Sequence, residues 1–360
     1  MSLILGIESS CDETSAAIVE NGSHVRSNVV ATQIARHAVF GGVVPELAAR
    51  EHLIALQPVL KAALCEAGVG LQDLSAIAVT NGPGLMPALL VGLNYAKGLA
   101  AAHRLPLIPT NHFIAHIYAS FLDHDLQILK QPETYPILAL VVSGGHSSLL
   151  LINEQGEARQ IGCTIDDAAG EALDKAAKLL NLGYPGGPIM QKTAEKGNPE
   201  AFHFPRPLTG TAGKAVPPEH KYNFSFSGIK TALLYHVKKY EGELSDSFIA
   251  DTAASYQEAI VDVLTRKAVA AAREFGARTL VLCGGVACNQ PLRDRLQKLC
   301  PAESALRIAP PKYCTDNAAM VAGLAWHSLA QANDALGADA FARLPMITSV
   351  PFIGNRRGTA

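Results

Sequence analysis

Apolar positions along the chain follow two rhythms that alternate in a fixed order. "LILGIESS" is a continuous apolar run, the signature of a buried strand, and "TSAAIVE", the turn "NG" and "HVRSNVVATQ" follow it. Asn-Gly between two apolar runs predicts a hairpin, so three strands open the chain. Residues 44–67 change to a helical rhythm, with Leu47, Ile54, Leu56, Val59, Leu60 and Leu64 on or near one side. "LSAIAVTNGPG" is a strand entering a glycine turn, 86–103 a helix of small residues, and "PLIPTN" a short strand leading into "NHFIAHIYAS".

The order then restarts. "PILALVVSGGHSSLLLIN" gives two strand-like runs meeting at a glycine pair, and "EARQIG" supplies a third. Helices are expected at 166–181 and, after an irregular Pro/Gly-rich stretch, near 228–240 and 246–275. "TLVLCGG" reads as a strand, "NQPLRDRLQKLC" as a helix, "LRIAPP" as a strand and "TDNAAMVAGLAWHSLA" as a closing helix. Each half is thus β-β-β-α-β-α-β without a visible sequence repeat, which predicts a duplicated α/β unit enclosing a cleft. Ligands of such sheets sit at the carboxyl ends of strands, beside helix N-termini.

Composition narrows the function classes. The 360 residues are 49% hydrophobic and 17% charged, compatible with two sizeable cores. No apolar run approaches the ~20 residues that span a bilayer, and the acidic start "MSLILGIESSCDE" does not resemble a signal peptide, so a cytoplasmic protein without membrane contact is expected. Seven scattered cysteines without a C-x-x-C pair speak against a disulfide framework or a cysteine zinc site. The net charge of −2 hides an asymmetry: residues 175–239 carry ten Lys/Arg against three Asp/Glu, a surplus of seven that leaves the remainder near −9. A basic face of that kind either attracts a polyanion or is a solvated surface.

Six segments could carry chemistry. His112 and His116 lie four apart, so on a helix they stack on one side and could share a metal ion. The zinc-protease pattern also needs a glutamate after the first histidine, and Phe113 stands there. Asp316, before the last helix, is either a helix cap or the carboxylate completing a two-histidine, one-carboxylate site. "GIESSCDETSAAIV" gathers Glu8, Asp12 and Glu13 at a strand-strand turn. Asp12 and Glu13 could act as a base or hold metal-bound water, or the segment is a polar turn capped by its own hydroxyls. "VVSGGHSSLL" puts Ser143, Gly144 and Gly145 between strands, where backbone N–H groups could meet an anion or merely turn a hairpin. "DDAAGEALDKAAKLL" sets Asp167, Glu171 and Asp174 on one helical stripe beside "GYPGGP", an exposed face or a holder of sugar hydroxyls. In "CGGVACNQPLR", Asn289 fits a helix cap, with room for a nucleotide base or ribose over Gly284 and Gly285.

Taken together these segments resemble one family, the bacterial tRNA threonylcarbamoyladenosine transferases of TsaD type, formerly described as sialoglycoprotein endopeptidases. "GIESSCDETSAAIV", "GGVVPELAAREH", "NGPGLMPALLVGL", "NHFIAHIYA", "VVSGGHSSL", "DDAAGEALDKAAKLLNLGYPGGP", "FSFSGIKTA", "CGGVACNQPLR" and "CTDNAAM" all occur in family order. The resemblance implies an actin/Hsp70/sugar-kinase (ASKHA) fold with two RNase-H-like lobes around a central cleft. The first lobe would be 1–111, completed by the closing helix near 316–335; the second would be 112–315, with 336–360 a peripheral tail. It implies His112, His116 and Asp316 as ligands of one divalent metal, iron(II) first with zinc or magnesium as alternatives. It implies Val141, Val142, Ser143, Gly144, Gly145, Asp174, Gly187 and Asn289 as substrate-binding positions, with Asp12 and Glu13 assisting deprotonation. The implied activity is transfer of threonylcarbamoyl from threonylcarbamoyl-adenylate to N6 of the adenosine 3′ to the anticodon, in tRNAs reading codons that begin with A, with AMP released. The implied partners are tRNA, a catalytically silent paralogue of TsaB type docking on the helices at 44–67 and 86–103, and a small ATPase of TsaE type. A small-molecule kinase or ATPase on the same fold is the main alternative, and a metalloprotease would rest on the two histidines alone.

Overall fold

The computed structural model describes residues 1–210, 215–240, 242–332, 335–344 and 347–353. The chain divides into two compact units, residues 1–134, 153–158 and 309–360, and residues 135–152 and 159–308.

In the first unit the strands are β1 (Leu3–Glu8), β2 (Glu13–Glu20), β3 (His24–Thr32), β4 (Ala76–Gly82) and β5 (Leu107–Asn111). They stand in the order β3-β2-β1-β4-β5. β1 and β2 are antiparallel, from Leu3 opposite Glu20 to Glu8 opposite Ser15, and β1–β4 and β4–β5 are parallel. Helices α1 (Ile34–Ala38), α2 (Pro45–Ala67), α3 (Met86–His103) and α4 (His112–Tyr118) complete the unit's N-terminal part. Every residue of β1 is buried, so both of its faces are covered, which explains the apolar run at 3–7 ahead of Glu8. Leu3, Leu5 and Ile7 enter a core with Leu56 and Leu60 of α2 and Leu89 and Leu93 of α3. Alternation then sends Ile4, Gly6 and Glu8 to the opposite face.

The second unit repeats this plan. Its strands β6 (Ile137–Val142), β7 (Ser147–Ile152), β8 (Glu157–Cys163), β9 (Thr279–Cys283) and β10 (Ala305–Ile308) stand in the order β10-β9-β6-β7-β8. Read from β8, this is third, second, first, fourth, fifth, as in the first unit. β6–β7 are antiparallel, and β6–β9 and β9–β10 parallel. The duplicated α/β unit expected from the strand rhythm is therefore present, with the strand order that the resemblance implies for both lobes. Helices α5 (Ala169–Leu179), α6 (Gly186–Ala194), α7 (Ser227–Lys238), α8 (Asp246–Glu274) and α9 (Gln290–Leu299) belong here, and α10 (Ala318–Ala325) returns to the first unit.

Four features differ from the sequence reading. The unit boundary lies at Tyr135 rather than at 112, because α4 follows directly on β5 and packs against α10, which keeps the histidine helix in the first unit. The closing helix α10 ends at Ala325 and tightens into a 3₁₀ segment, Trp326–Gln331. α6 begins inside the Pro/Gly-rich stretch, where the sequence pattern predicts irregular structure. The stretch after 335 is not peripheral in its described part: Ala340, Val350 and Phe352 are buried, and Phe352 packs on Tyr118 and Phe121. No helix among the described residues is long and apolar enough to cross a membrane.

Candidate metal centre and substrate turns

β5 ends at Asn111, whose side chain accepts from the Ile114 N–H and so caps α4. One residue later His112 opens the helix, and His116 follows a turn on, the two rings 4.6 Å apart edge to face. Asp316 arrives from the far end of the unit's sequence. It is not the cap of α10, since Asn317 accepts from Met320 N–H instead. Its Oδ1 lies 3.0 Å from His116 Nε2 and 3.6 Å from His112 Nε2. The donor atoms of His112, His116 and Asp316 all fall within 4.8 Å of one another. The structure thus brings together the three residues that sequence spacing could only pair.

The reason His112 presents Nε2 inward is Glu8. This carboxylate is fully buried at the end of β1 on the α10 side. Its Oε1 accepts from Ser10 N–H at 2.6 Å, and its Oε2 accepts from the Thr80 hydroxyl at 2.6 Å. Oε2 is also 3.2 Å from His112 Nδ1, with Ser10 Oγ at 3.2 Å from the same nitrogen. A carboxylate behind an imidazole fixes its tautomer and orientation, the usual arrangement behind a metal-ligating histidine. We expect Glu8→Gln to weaken divalent-metal affinity by about 10- to 100-fold, measured by competition with a chelator; unchanged affinity would show that Glu8 does not orient the ring.

The electrostatics fit a cation. Burial lifts the Glu13 carboxyl, and the charges of Asp316, Asp12 and Glu8 push it further, to about 10. Cys11 is raised for the same reasons, burial first and then Asp12 and Asp316. His112 is pulled down by burial, but the charges of Asp316 and Glu8 outweigh this and bring it to about 9. Glu8 is lowered overall: burial opposes ionisation, and His112 more than compensates. Four carboxyl groups thus crowd two imidazoles, burial and the repulsion among them keeping Glu13 protonated at neutral pH, and His116 Nδ1 is buried without a hydrogen-bond partner. Two nitrogens and a carboxylate oxygen gathered within 4.8 Å are a donor set that a divalent metal ion could share.

The candidate substrate-binding positions lie in the second unit, around the carboxyl ends of β6 and β9. Val141 pairs with Cys283 across the parallel ladder. After Val142, the turn at Ser143–His146 closes through Ser143 N–H donating to the His146 carbonyl, and Gly144 and Gly145 are exposed, with open space where a Cβ would be. The amino end of α5 is seated on this turn: Gly170 N–H donates to the Ser143 carbonyl and Glu171 N–H to the Gly144 carbonyl. A Cβ on Gly170 would come within 2.6 Å of that Ser143 oxygen, so only glycine permits the approach. One turn along α5, Asp174 accepts from the Gly186 N–H at 2.7 Å and so ties down the start of α6, where Gly187 faces open space. Gln191 of α6 accepts from the Gln290 N–H, which carries the connection to α9. Asn289 caps α9 as expected, accepting from Leu292 N–H at 3.1 Å, and also donates to Gln257 at 2.8 Å. One amide hydrogen and one lone pair of Asn289 remain beyond these two bonds. Asp167 takes no part in this ring; Lys175 and Lys230 hold it at 3.0 and 2.9 Å.

The model of the family TsaD, tRNA N6-adenosine threonylcarbamoyltransferase, matches residues 24–323. The chain belongs to the TsaD family. It is 47% identical to the tRNA N6-adenosine threonylcarbamoyltransferase of Thermomicrobium roseum, over 96% of this chain and 97% of that protein. It is 48% identical to the protein of the same name from Trichlorobacter lovleyi, with the same coverage. A member of the TsaD family by these measures, it is a transferase that modifies tRNA. At the level of fold alone it is similar to component A of the Acidaminococcus fermentans (R)-2-hydroxyglutaryl-CoA dehydratase, with a TM-score of 0.51 at 14% identity over 92% of this chain and all of the other. It is also similar to HypF of T. kodakarensis, with a TM-score of 0.55 at 16% identity, over 90% of this chain and 46% of HypF. The fold is that of the actin/Hsp70/sugar-kinase class.

Sequence reasoning left two TsaD-family side chains without a role. Glu8 stands in the first motif, but a carboxylate inside an apolar strand shows no partner until Thr80 and His112 are folded beside it. His52, in "GGVVPELAAREH", sits among helix residues with no signal beyond being a histidine on a buried stripe.

Proposed function

We propose that this protein transfers the threonylcarbamoyl group of threonylcarbamoyl-adenylate to N6 of the adenosine 3′ to the anticodon, in tRNAs whose codons begin with A. The observation that carries this reading is the convergence of His112, His116 and Asp316 within 4.8 Å, backed by the buried Glu8 carboxylate, in a chain of this family. In the reaction the N6 amine attacks the carbamoyl carbon, a C–N bond forms, the bond to the phosphate oxygen breaks, and AMP leaves. Asp12 and Glu13 are the groups we assign to take the proton released by the amine. Glu13 near pKa 10 is protonated at neutral pH, but the cause after burial is the charge of Asp316, which a bound cation would offset. His112, His116 and Asp316 would hold one divalent ion. Paired imidazoles suit iron(II) or zinc better than magnesium, which prefers an oxygen shell. Such an ion supplies Lewis-acid charge for substrate oxygens. Val141–Gly145, Asp174, Gly187 and Asn289 are the positions we assign to the adenylate: exposed glycine backbone for its anionic part, and the remaining valences of Asn289 for a ribose or base.

Partners follow from surface chemistry. Leu53 and Ile54 of α2 are 69% exposed, and Met86 and Leu90 of α3 are exposed as well, which supports these two helices as the docking face for the silent paralogue. A small ATPase would join that assembly. In the basic 175–239 window, Lys175, Arg206, Lys221 and Lys230 are committed to ion pairs, which narrows the tRNA-facing candidates to Lys178, Lys192, Lys196, Lys238 and Lys239, all exposed. Lys214 lies outside the described residues. The cytoplasm is the compartment where this tRNA chemistry would take place.

Nucleoside mass spectrometry tests the reading. Unmodified tRNA incubated with threonylcarbamoyl-adenylate, this protein and its partners should yield threonylcarbamoyladenosine with the wild type and none with His112→Ala. Equal product from both, or ATP turnover without tRNA as the only activity, would overturn it.

A further inference from the structure

We infer that His52 is a positioning residue for the acidic turn, holding Asp12 and Glu13 in place from helix α2; the inference rests on the role proposed above for those two carboxylates. The turn between β1 and β2 is anchored through three consecutive carbonyls. Ser10 O accepts from Leu85 N–H at 2.8 Å, and Asp12 O accepts from Gln33 N–H at 3.1 Å. Between them Cys11 O is held by His52 Nε2 at 3.0 Å. Two of the anchors are backbone groups that persist whatever the side chain. The middle one is a side chain, and it acts on the peptide directly before Asp12.

The ring cannot readily serve another purpose, because its surroundings fix it. His52 is completely buried. A carbonyl only accepts, so Nε2 carries the proton, and Nδ1 is left to accept from the Thr14 hydroxyl at 2.7 Å. The same ring thus ties the residue before Asp12 and the residue after Glu13 to one point on α2. Behind it Gln33 Nε2 donates to the Ala48 carbonyl and approaches Nδ1 at 3.4 Å, while Gln33 Oε1 is 3.1 Å from His37 Nε2. His37 Nδ1 in turn accepts from Val44 N–H, just ahead of α2. Two buried histidines and a glutamine therefore form one continuous hydrogen-bonded brace from the start of α2 to the turn. None of the three touches the metal-ligand candidates. Burial keeps His52 below its ordinary pKa, consistent with a neutral ring. His52 also lies one and two residues from exposed Leu53 and Ile54, so the helix face assigned to a partner and the acidic turn share the same helix.

The side chains of Asn and Gln separate the two contacts, because the Asn amide reaches the Nδ1 position and the Gln amide the Nε2 position. In the reconstituted assembly, His52→Asn should keep the Thr14 contact, lose the Cys11 contact, and lower kcat by about 10- to 100-fold, the loss typical of a reacting group displaced by about 1 Å. KM for tRNA and adenylate and the metal affinity should stay unchanged. His52→Gln should recover most of kcat. Thr14→Val, a milder cut of the same brace, should lower kcat in the same sense, which keeps the test open if His52→Asn folds poorly. Leu56→Ala, a core cavity one turn along α2, should lower Tm at least as much without this kcat loss. A kcat that follows Tm across all four variants, or a full-rate His52→Asn, overturns the inference. An Asp12→Asn, Glu13→Gln double variant tells the two failures apart. If it works at full rate, the proposed role of the turn falls and this inference with it. If it is slow while His52→Asn is fast, only the inference falls.

Discussion

His116→Ala is expected to leave a folded protein that no longer retains its metal and forms threonylcarbamoyladenosine more than about 100-fold more slowly, since even partners behind a ligand contribute 10- to 100-fold. The ring is almost fully buried, and its Nε2 lies 3.0 Å from Asp316. Metal content after dialysis and rate of product formation should fall together. Asp316→Asn should do the same and bring Glu13 and His112 back toward ordinary values, because the Asp316 charge is a leading cause of both shifts. The wild type adds a pH signature. In the metal-free protein His112 titrates at about 9, so it is protonated at neutral pH, yet only the neutral ring can ligate. Metal binding must therefore expel a proton, and apparent affinity should drop about tenfold for each pH unit below about 9. Isothermal titration in buffers of different ionisation enthalpy would read that proton directly. An affinity flat from pH 6 to 9 would contradict both the shift and its electrostatic cause.

Gly6→Ala is expected to damage fold and site at once. A Cβ at this position would stand 2.2 Å from the Ala318 carbonyl oxygen and 3.0 Å from the Ala322 backbone nitrogen. Those atoms are backbone of α10, so relief requires the whole helix to move away from β1. Overpacking of this kind costs about 1–3 kcal/mol, and here it also displaces Asp316, two residues ahead of Ala318. Urea unfolding should show the loss of stability, and chelator competition a weakened metal site. Gly98→Ala is the matched control: it is exposed on α3 with no atom within 4 Å of the added Cβ, and should stabilise by about 0.5–1 kcal/mol. If both variants behaved alike, the close approach of β1 and α10 would be disproved as a constraint.

How much of this was readable in the residues depended on how local the signal was. The helix at 86–103 and the strand triplets were legible, because period-2 and period-3.6 patterns are written within a dozen residues. α6 was not, because glycine and proline normally mark loops, and only the Gly186–Asp174 hydrogen bond shows why a helix starts there. The His112–His116 pair was legible from spacing alone. Asp316 had two readings until Asn317 took the capping role. Glu8 and His52 carry no local signal at all: their meaning lies in Thr80, His112 and the Cys11 carbonyl, contacts that exist only after folding. The glycine turn at 143–146 was legible as a turn, while the support it gives the start of α5 through Gly170 is a tertiary fact. Placing the boundary at 112 followed the restart of the strand rhythm and missed that a helix can belong to the sheet it leaves.

His116 and Asp316 are 200 positions apart in the chain, with the whole second unit between them. On a ribosome adding ~5–20 residues per second, the histidine pair waits roughly 10–40 s for its carboxylate. During that interval the nascent protein has two imidazoles but no third ligand. A product released early, anywhere inside the second unit, therefore ends up without the centre even though its histidine helix is complete. If the three residues hold a metal ion as proposed, its capture would serve as a proof of full-length synthesis, because the donor set is complete only after translation has passed both units.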